Sequence, residues 1–313
     1  MSADLMPTYG PPAVRFVEGR GSWLWDDDGR AYLDFLCGIA VTSLGHCHPA
    51  VADAVATQAR RLWHVSNLFA NELAPGVAAT LDLLIGGGTP AGGKVFFANS
   101  GAEANECAIK LARRFGGRGR TEVVAAYGAF HGRTLAALAA TGQPAKWEPF
   151  QPLPEGFRHV VWNDLDDLEA ALSPSVAAVL LEPVQGEAGV VEAGAGYLAG
   201  VRRLCDERGI LLMLDEVQTG LGRTGRWFGF QHEGVLPDVV CMAKALGNGM
   251  PVGACWARAE VADAFRPGDH GSTFGGQPLA MAAARATLAV MRSEDVPARA
   301  AAAGARLAAA VSA

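Results

Sequence analysis

Lysine is scarce in this chain: Lys94, Lys110, Lys146 and Lys244 are the four among 26 lysines and arginines. Positive charge is in deficit as a whole. The formal net charge of −6 argues against a nucleic acid or an anionic membrane surface as partner. No apolar run approaches the roughly 18 residues that suggest a membrane span. The opening MSADLMPTYGPP has neither a basic n-region nor an apolar h-region, so no secretory signal is expected. There is no CxxC pair. The six cysteines, at 37, 47, 107, 205, 241 and 255, are scattered in mostly apolar settings and read as reduced core residues of a cytoplasmic protein. What is present is a globular composition, 50% hydrophobic and 19% charged over 313 residues, enough for one large domain and a smaller one.

Short apolar runs at 95–97, 123–126, 176–181, 210–214 and 239–242 alternate with helix-like segments such as 102–115, 164–172 and 197–208. This βαβ rhythm predicts an α/β fold, a mostly parallel sheet flanked by helices on both faces. The first fifty residues differ: GSWLWDDDGRAYLDFL (21–36) alternates like a small antiparallel hairpin turning at 27–29. Residues 278–292 are alanine-rich and helical, and a further helix starting near Pro297 meets no cap and no glycine stop. The expected organisation is an N-terminal segment over 1–50 belonging to a smaller α+β domain, and a large domain over 51–290. Residues 291–313 would begin a C-terminal domain that looks cut short.

In open parallel sheets ligands bind beyond the carboxyl ends of the strands. The polar clusters fall there: ANSGAEANE, YGAFHGRT, EPVQGE, DEVQTG and AKALGNG each follow one of the five apolar runs. One crevice would then collect Ser100, Gly101, Phe130, His131, Arg133, Glu182, Asp215, Gln218 and Lys244. Ser100, Gly101 and Ala102 open a helix whose free N–H groups and positive dipole end suit an anion. Phe130 offers a flat face for a ring. Asp215, at the edge of a buried strand, needs a cationic partner to stay charged. Lys244, at an apolar strand end, can shed its proton and act as an amine nucleophile or Schiff-base former. Phosphate, aromatic ring, ring cation and aldehyde together describe pyridoxal 5′-phosphate, and Lys244 would bond its aldehyde.

Rival motifs are weaker. GTPAGGK (88–94) has the spacing of a phosphate-binding P-loop, but Val95 stands where Ser or Thr belongs and the motif precedes a strand. GNGMPVG (247–253) has the wrong spacing for a dinucleotide loop. HCH (46–48) has no matching ligand pair elsewhere, so no metal is expected. Taken singly, Asp215 or Glu182 reads as a loop cap or surface ion pair, Arg133 as a core-edge ion pair and Phe130 as core; what overturns these readings is the register of the motifs with a known family pattern.

NSGAEANE (99–106), FHGRT (130–134), EPVQGE (182–187), LDEVQTGLGRTG (214–225), AKALGNGMPVGA (243–254) and HGSTFGGQP (270–278) resemble the class-III, fold-type I pyridoxal-phosphate aminotransferases. GHCHPAV (45–51) and SNLF (66–69) fit as well, and the likeness runs over residues 9 to 292. The resemblance implies transamination in two half-reactions, with Lys244 holding the cofactor and then moving the proton. It implies that Asp215 keeps the pyridine nitrogen protonated, Gln218 bonds the ring's 3-oxygen, and Val217 packs opposite Phe130 with His131 nearby. Gly101 and Ala102 would hold the phosphate, joined by Thr273 from a second subunit, so a homodimer with shared sites is expected. Arg133 would anchor the carboxylate of both amino donors, with Glu187 and Ser272 as further substrate contacts. Glu187 pairs, in family members, with an arginine near the C-terminus that has no counterpart in these 313 residues. Members acting on ornithine have a tyrosine where Ile39 stands; isoleucine cannot bond a free α-amine, so N-acetylornithine with 2-oxoglutarate is the expected substrate pair. Ornithine, succinylornithine, 4-aminobutyrate and a lysine-pathway analogue are the alternatives, as is a non-catalytic remnant of the fold.

Overall fold

The structure, a computed structural model, describes residues 4–312. Strands β1 (Phe16–Arg20), β2 (Trp23–Asp26) and β3 (Ala31–Leu33) form an antiparallel meander. Asp26 closes its turn: Oδ1 accepts the N–H groups of Asp28 (3.0 Å) and Arg30 (2.8 Å), and Oδ2 accepts the Tyr32 hydroxyl (2.9 Å). The expected hairpin is thus present and gains a third strand at its N-terminal side.

The main sheet, among the described residues, is built from β4 (Gly93–Ala98), β5 (Glu122–Ala126), β6 (Phe157–Val160) and β7 (Val176–Leu181), followed in the chain by a separate small pair, β8 (Val184–Gln185) and β9 (Val191–Glu192). It is completed by β10 (Leu211–Asp215), β11 (Val239–Met242) and β12 (Gly253–Arg258), giving the order β4-β12-β11-β10-β7-β5-β6. β12 runs antiparallel to both β4 and β11, and the other pairings are parallel. The five apolar runs are strands, their ends moved by no more than two residues. β6 and β12 are additions. FRHV carries Arg158 and His159 on an edge strand, with Arg158 paired to Glu122 at 2.7 Å, and GACWAR begins on glycine, so neither reads as an apolar run.

Both faces of the sheet are covered, and the pleat divides the strands between two cores. Leu212, Leu214, Val240 and Met242 pack with Leu81, Leu204 and Met281 from the helices Ala74–Ile85, Tyr197–Arg208 and Pro278–Ser293. Leu211, Met213, Val239 and Cys241 face Ala104, Cys107, Ala108 and Leu111 of the helix Gly101–Gly116. Helix Pro278–Ser293 also packs on helix Pro49–Ala59. The helix Val296–Val311 follows, with Pro297 as its buried residue.

Candidate active site

The carboxyl ends of β4, β5, β7, β10 and β11 open on one cavity of about 410 Å³. Its wall includes Ser100, Gly101, Ala102, Phe130, His131, Arg133, Glu182, Glu187, Asp215, Val217, Gln218 and Lys244.

The anion end is set by a helix cap. Ser100 is the N-cap of Gly101–Gly116, and its Oγ accepts the Glu103 N–H at 3.2 Å. The Glu103 carboxylate turns back to the Asn99 N–H and Nδ2, both at 2.8 Å. This is a capping-box arrangement shifted by one residue, with caps of this kind worth about 0.5–2 kcal/mol. It occupies the third N–H of the helix, while the amides of Gly101 and Ala102 meet no acceptor among the described residues and remain for an anion. A Cβ on Gly101 would come within 2.8 Å of both Val217 Cγ atoms, so glycine keeps this cradle open.

Asp215 ends β10 and is 4% exposed. Its Oδ2 accepts from Asn105 Nδ2 (2.7 Å) and His131 Nδ1 (2.9 Å), while Oδ1 accepts only the Val217 N–H (3.0 Å). Oδ1 therefore keeps acceptor capacity for a cationic ring N–H. A Cβ on Gly186, the residue after β8, would lie 1.8 Å from Gln218 Oε1, which places the Gln218 amide against that backbone at the cavity wall.

Lys244 follows β11 with φ 43°, in the left-handed region, half-buried on the cavity wall. Burial lowers its pKa below the ordinary lysine value, Arg223 acts in the same sense, and the carboxylates of Asp215, Glu182 and Glu187 oppose it. The amine is thereby readier to lose its proton. At the mouth, Arg133 Cζ lies 5.7 Å and Lys146 Nζ 4.8 Å from the centroid of the Phe130 ring, and Lys146 pairs with Glu187 at 3.3 Å. Arg133 has no carboxylate partner among the described residues, which leaves its fork for a ligand.

Glu182 is buried, and its carboxylate accepts the Phe130 N–H at 3.0 Å. Burial pushes its pKa up to about 7 from 4.5; the Asp215 charge adds to this, whereas His131 and the N–H groups of Phe130 and Gly186 work against it. Folded Glu182 thus holds its proton where the unfolded side chain has released it. Stability from this group is present at low pH and is lost as pH rises through about 7. Glu182→Gln is expected to raise the Tm of the cofactor-free protein at about pH 8 and change it little at about pH 4, a gain of roughly 1–3 kcal/mol. An offset equal at both pH values would mean that the carboxyl is ionised throughout.

Three expected site residues lie outside the cavity wall. Ser272 Oγ accepts from Asn99 Nδ2 (3.1 Å) and the Gly275 N–H (2.9 Å), so within one chain it ties a loop. Thr273 lines a neighbouring pocket with Phe96, Glu103 and His270. Ile39 is half exposed in a left-handed turn, and the residue of its segment on the wall is Val41. His46 bonds Asp34 at 2.7 Å, and no group of three metal-ligating side chains forms among the described residues. Lys94 of GTPAGGK lies within β4 and pairs with Asp263. Asn105 is the residue that sequence reasoning passed over; its spacing of four from Gly101, on the same helix face, was the available signal.

This set fits pyridoxal 5′-phosphate: two free helix amides for a phosphate, an aromatic face, a carboxylate oxygen with spare capacity for a ring N–H, and a lysine of lowered proton affinity. A half-buried lysine and a buried acid at the strand ends of a mostly parallel sheet suit a cofactor-dependent transferase of the fold-type I kind. The Aminotransferase class-III family model matches residues 6–313, and the chain belongs to that family. The acetylornithine aminotransferase of Methanopyrus kandleri is 53% identical over 292 residues, covering 93% of this chain and 74% of its own. That of Streptomyces coelicolor is 54% identical over 293 residues, covering 93% and 71%. A solved ornithine aminotransferase from Toxoplasma gondii, described with partial occupancy of PLP at its active site, superposes with a TM-score of 0.91 at 37% identity, covering 97% of this chain and 72% of its own.

Proposed function

We propose that the protein transfers the δ-amine of N-acetylornithine to 2-oxoglutarate with pyridoxal phosphate, as a cytoplasmic homodimer. The observation that carries this reading is the convergence of Lys244, Asp215, the free amides of Gly101 and Ala102, and an unpaired Arg133 on one cavity. The bound cofactor supplies an aldehyde that accepts the amino group and a protonated ring that draws electrons from the reacting carbon. Asp215 would hold the ring proton, with Oδ1 as the oxygen that has acceptor capacity to spare. Lys244 Nζ, of lowered proton affinity, is the base for the proton on the amine-bearing carbon. Val217 and Phe130 would hold the ring between apolar side chains, and Gln218 would offer its amide to the ring's 3-oxygen.

Arg133 sets the substrate class, because its planar fork takes a carboxylate bidentately. In N-acetylornithine the δ-amine lies four carbons beyond the carboxyl, and in glutamate the α-amine lies three carbons beyond the side-chain carboxyl, so one arginine serves both. Arg133→Ala is expected to weaken both substrates by roughly 2–5 kcal/mol in kcat/KM. An effect confined to one of them would sink the shared anchor. Val41 on the wall cannot bond a free α-amine, and the curated relatives named above favour the acetylated donor. Rates with N-acetylornithine and with ornithine decide this point: ornithine equal or better would overturn the substrate assignment.

The dimer reading rests on an apolar face beside Thr273. Trp63 (62% exposed), Leu68 (88%), Phe69 (67%) and Phe274 (55%) lie close together there, with Asn67 Nδ2 bonding the carbonyls of Ser272 and Gly275 at 3.0 Å. A second copy of the chain covering this face would bring its Thr273 toward the first copy's phosphate end. The mass of the protein in solution tests it.

A further inference from the structure

We propose that Asn105 is a positioning residue for the reaction. It fixes which oxygen of Asp215 is offered to the ring and ties that oxygen to the helix that receives the phosphate. The proposal rests on the pyridoxal-phosphate reading above.

Asn105 is 1% exposed and sits one turn into helix Gly101–Gly116. Its Nδ2 donates to Asp215 Oδ2 and to the His131 carbonyl, both at 2.7 Å. Both partners are pure acceptors, so the amide has one orientation, with both N–H bonds used. Its own Oδ1 is buried without a partner. An asparagine serving packing alone gains nothing from such an orphan acceptor; here it accompanies a donor pair that the site needs.

The second donor to Oδ2, His131 Nδ1, is itself held in place. The His131 carbonyl rests on Asn105, its N–H meets Thr141 Oγ1 at 3.0 Å, and Thr141 Oγ1 is bonded to the Ala137 carbonyl at 2.9 Å. Asn105 thus acts on Asp215 twice, directly and by fixing the backbone of the histidine. With two side-chain donors on Oδ2 the carboxylate cannot rotate without breaking both bonds. Oδ1, holding only the Val217 amide, remains the oxygen with room for a ring N–H. The helix whose first amides face the phosphate therefore controls the opposite end of the cofactor as well.

The test uses the holoenzyme and the variants Asn105→Ala and Asn105→Leu, the second filling the volume without a donor; melting of the cofactor-free proteins identifies a variant that folds. With cofactor labelled at the ring nitrogen, ¹⁵N spectra should show that nitrogen losing its proton about one to two pH units lower in the variant than in wild type. kcat should fall about ten- to a hundredfold, with KM for the amino donor changed by less than about threefold. With a cofactor analogue carrying carbon in place of the ring nitrogen, wild type and variant should agree within about twofold, because the interaction that Asn105 supports is then gone from both. An unchanged ring-nitrogen titration, or the same loss of rate with the analogue, overturns the proposal and leaves Asn105 a packing residue. Wild-type protein that takes up no cofactor at Lys244 instead overturns the functional reading beneath it.

Discussion

Lys244→Ala is expected to lose turnover by at least about 10⁴-fold, because in the proposed reaction one side chain supplies both the covalent anchor and the general base. The same variant should fail to become labelled when the holoenzyme is reduced with borohydride. In wild type, peptide mapping should place the phosphopyridoxyl group on Lys244. The other three lysines are unsuited to compete. Lys94 is exposed and paired with Asp263, Lys110 donates to the Asp269 carbonyl at 2.8 Å, and Lys146 is paired with Glu187 at 3.3 Å. Lys244 is the lysine on the cavity wall, and burial lowers its pKa. Label on Lys94, Lys110 or Lys146 would remove the basis of the mechanism.

Asp215→Asn should cost about 10²–10³-fold in kcat while the cofactor stays bound through Lys244. The geometry says why an isosteric change is so damaging. Oδ2 receives two donors and Oδ1 one. An asparagine amide satisfies Asn105 and His131 by turning its oxygen to the Oδ2 position, which leaves its NH₂ group where Oδ1 was. The ring nitrogen then meets a donor instead of an acceptor and cannot keep its proton, and the Val217 N–H loses its partner too. Steady-state rates and the absorbance of the bound cofactor, measured on the same sample, check both halves of this expectation. A near-normal rate would refute the role of Asp215 as ring-nitrogen partner.

Much of this arrangement is legible in the sequence because strands buried on both faces appear as unbroken apolar runs, and their carboxyl ends are marked where polarity returns. That reasoning places β4, β5, β7, β10 and β11, and with them Ser100, Phe130, Glu182, Asp215 and Lys244. It misses β12, where glycine opens a strand that turns back on β11 and also takes β4, far away in the chain, as partner, and β6, whose charged residues lie at the sheet's edge. Asn105 was passed over for a different reason: its spacing from Gly101 puts it on the same helix face, but only the position of β10 behind that face distinguishes a buried asparagine from an exposed one. Ser272 and Thr273 follow the family motif, yet a single chain places them beside the cavity and not on its wall, so motif register alone does not report which chain a residue serves. Ile39 shows the same weakness over two residues, since a left-handed turn hands its place on the wall to Val41.

The reversed strand also sets a timetable. β4 carries the helix that would bind phosphate, yet among the described residues its sole strand neighbour is β12, Ala98 lying opposite Gly253. Roughly 155 residues separate the two, which at ribosomal rates is about ten to thirty seconds of synthesis. Throughout that interval β4 is an unpaired edge, and Lys244 is among the last parts of the cavity to leave the ribosome. The helix N-terminus that suits a phosphate and the lysine that suits an aldehyde thus reach one cavity only after the sheet has closed around β12.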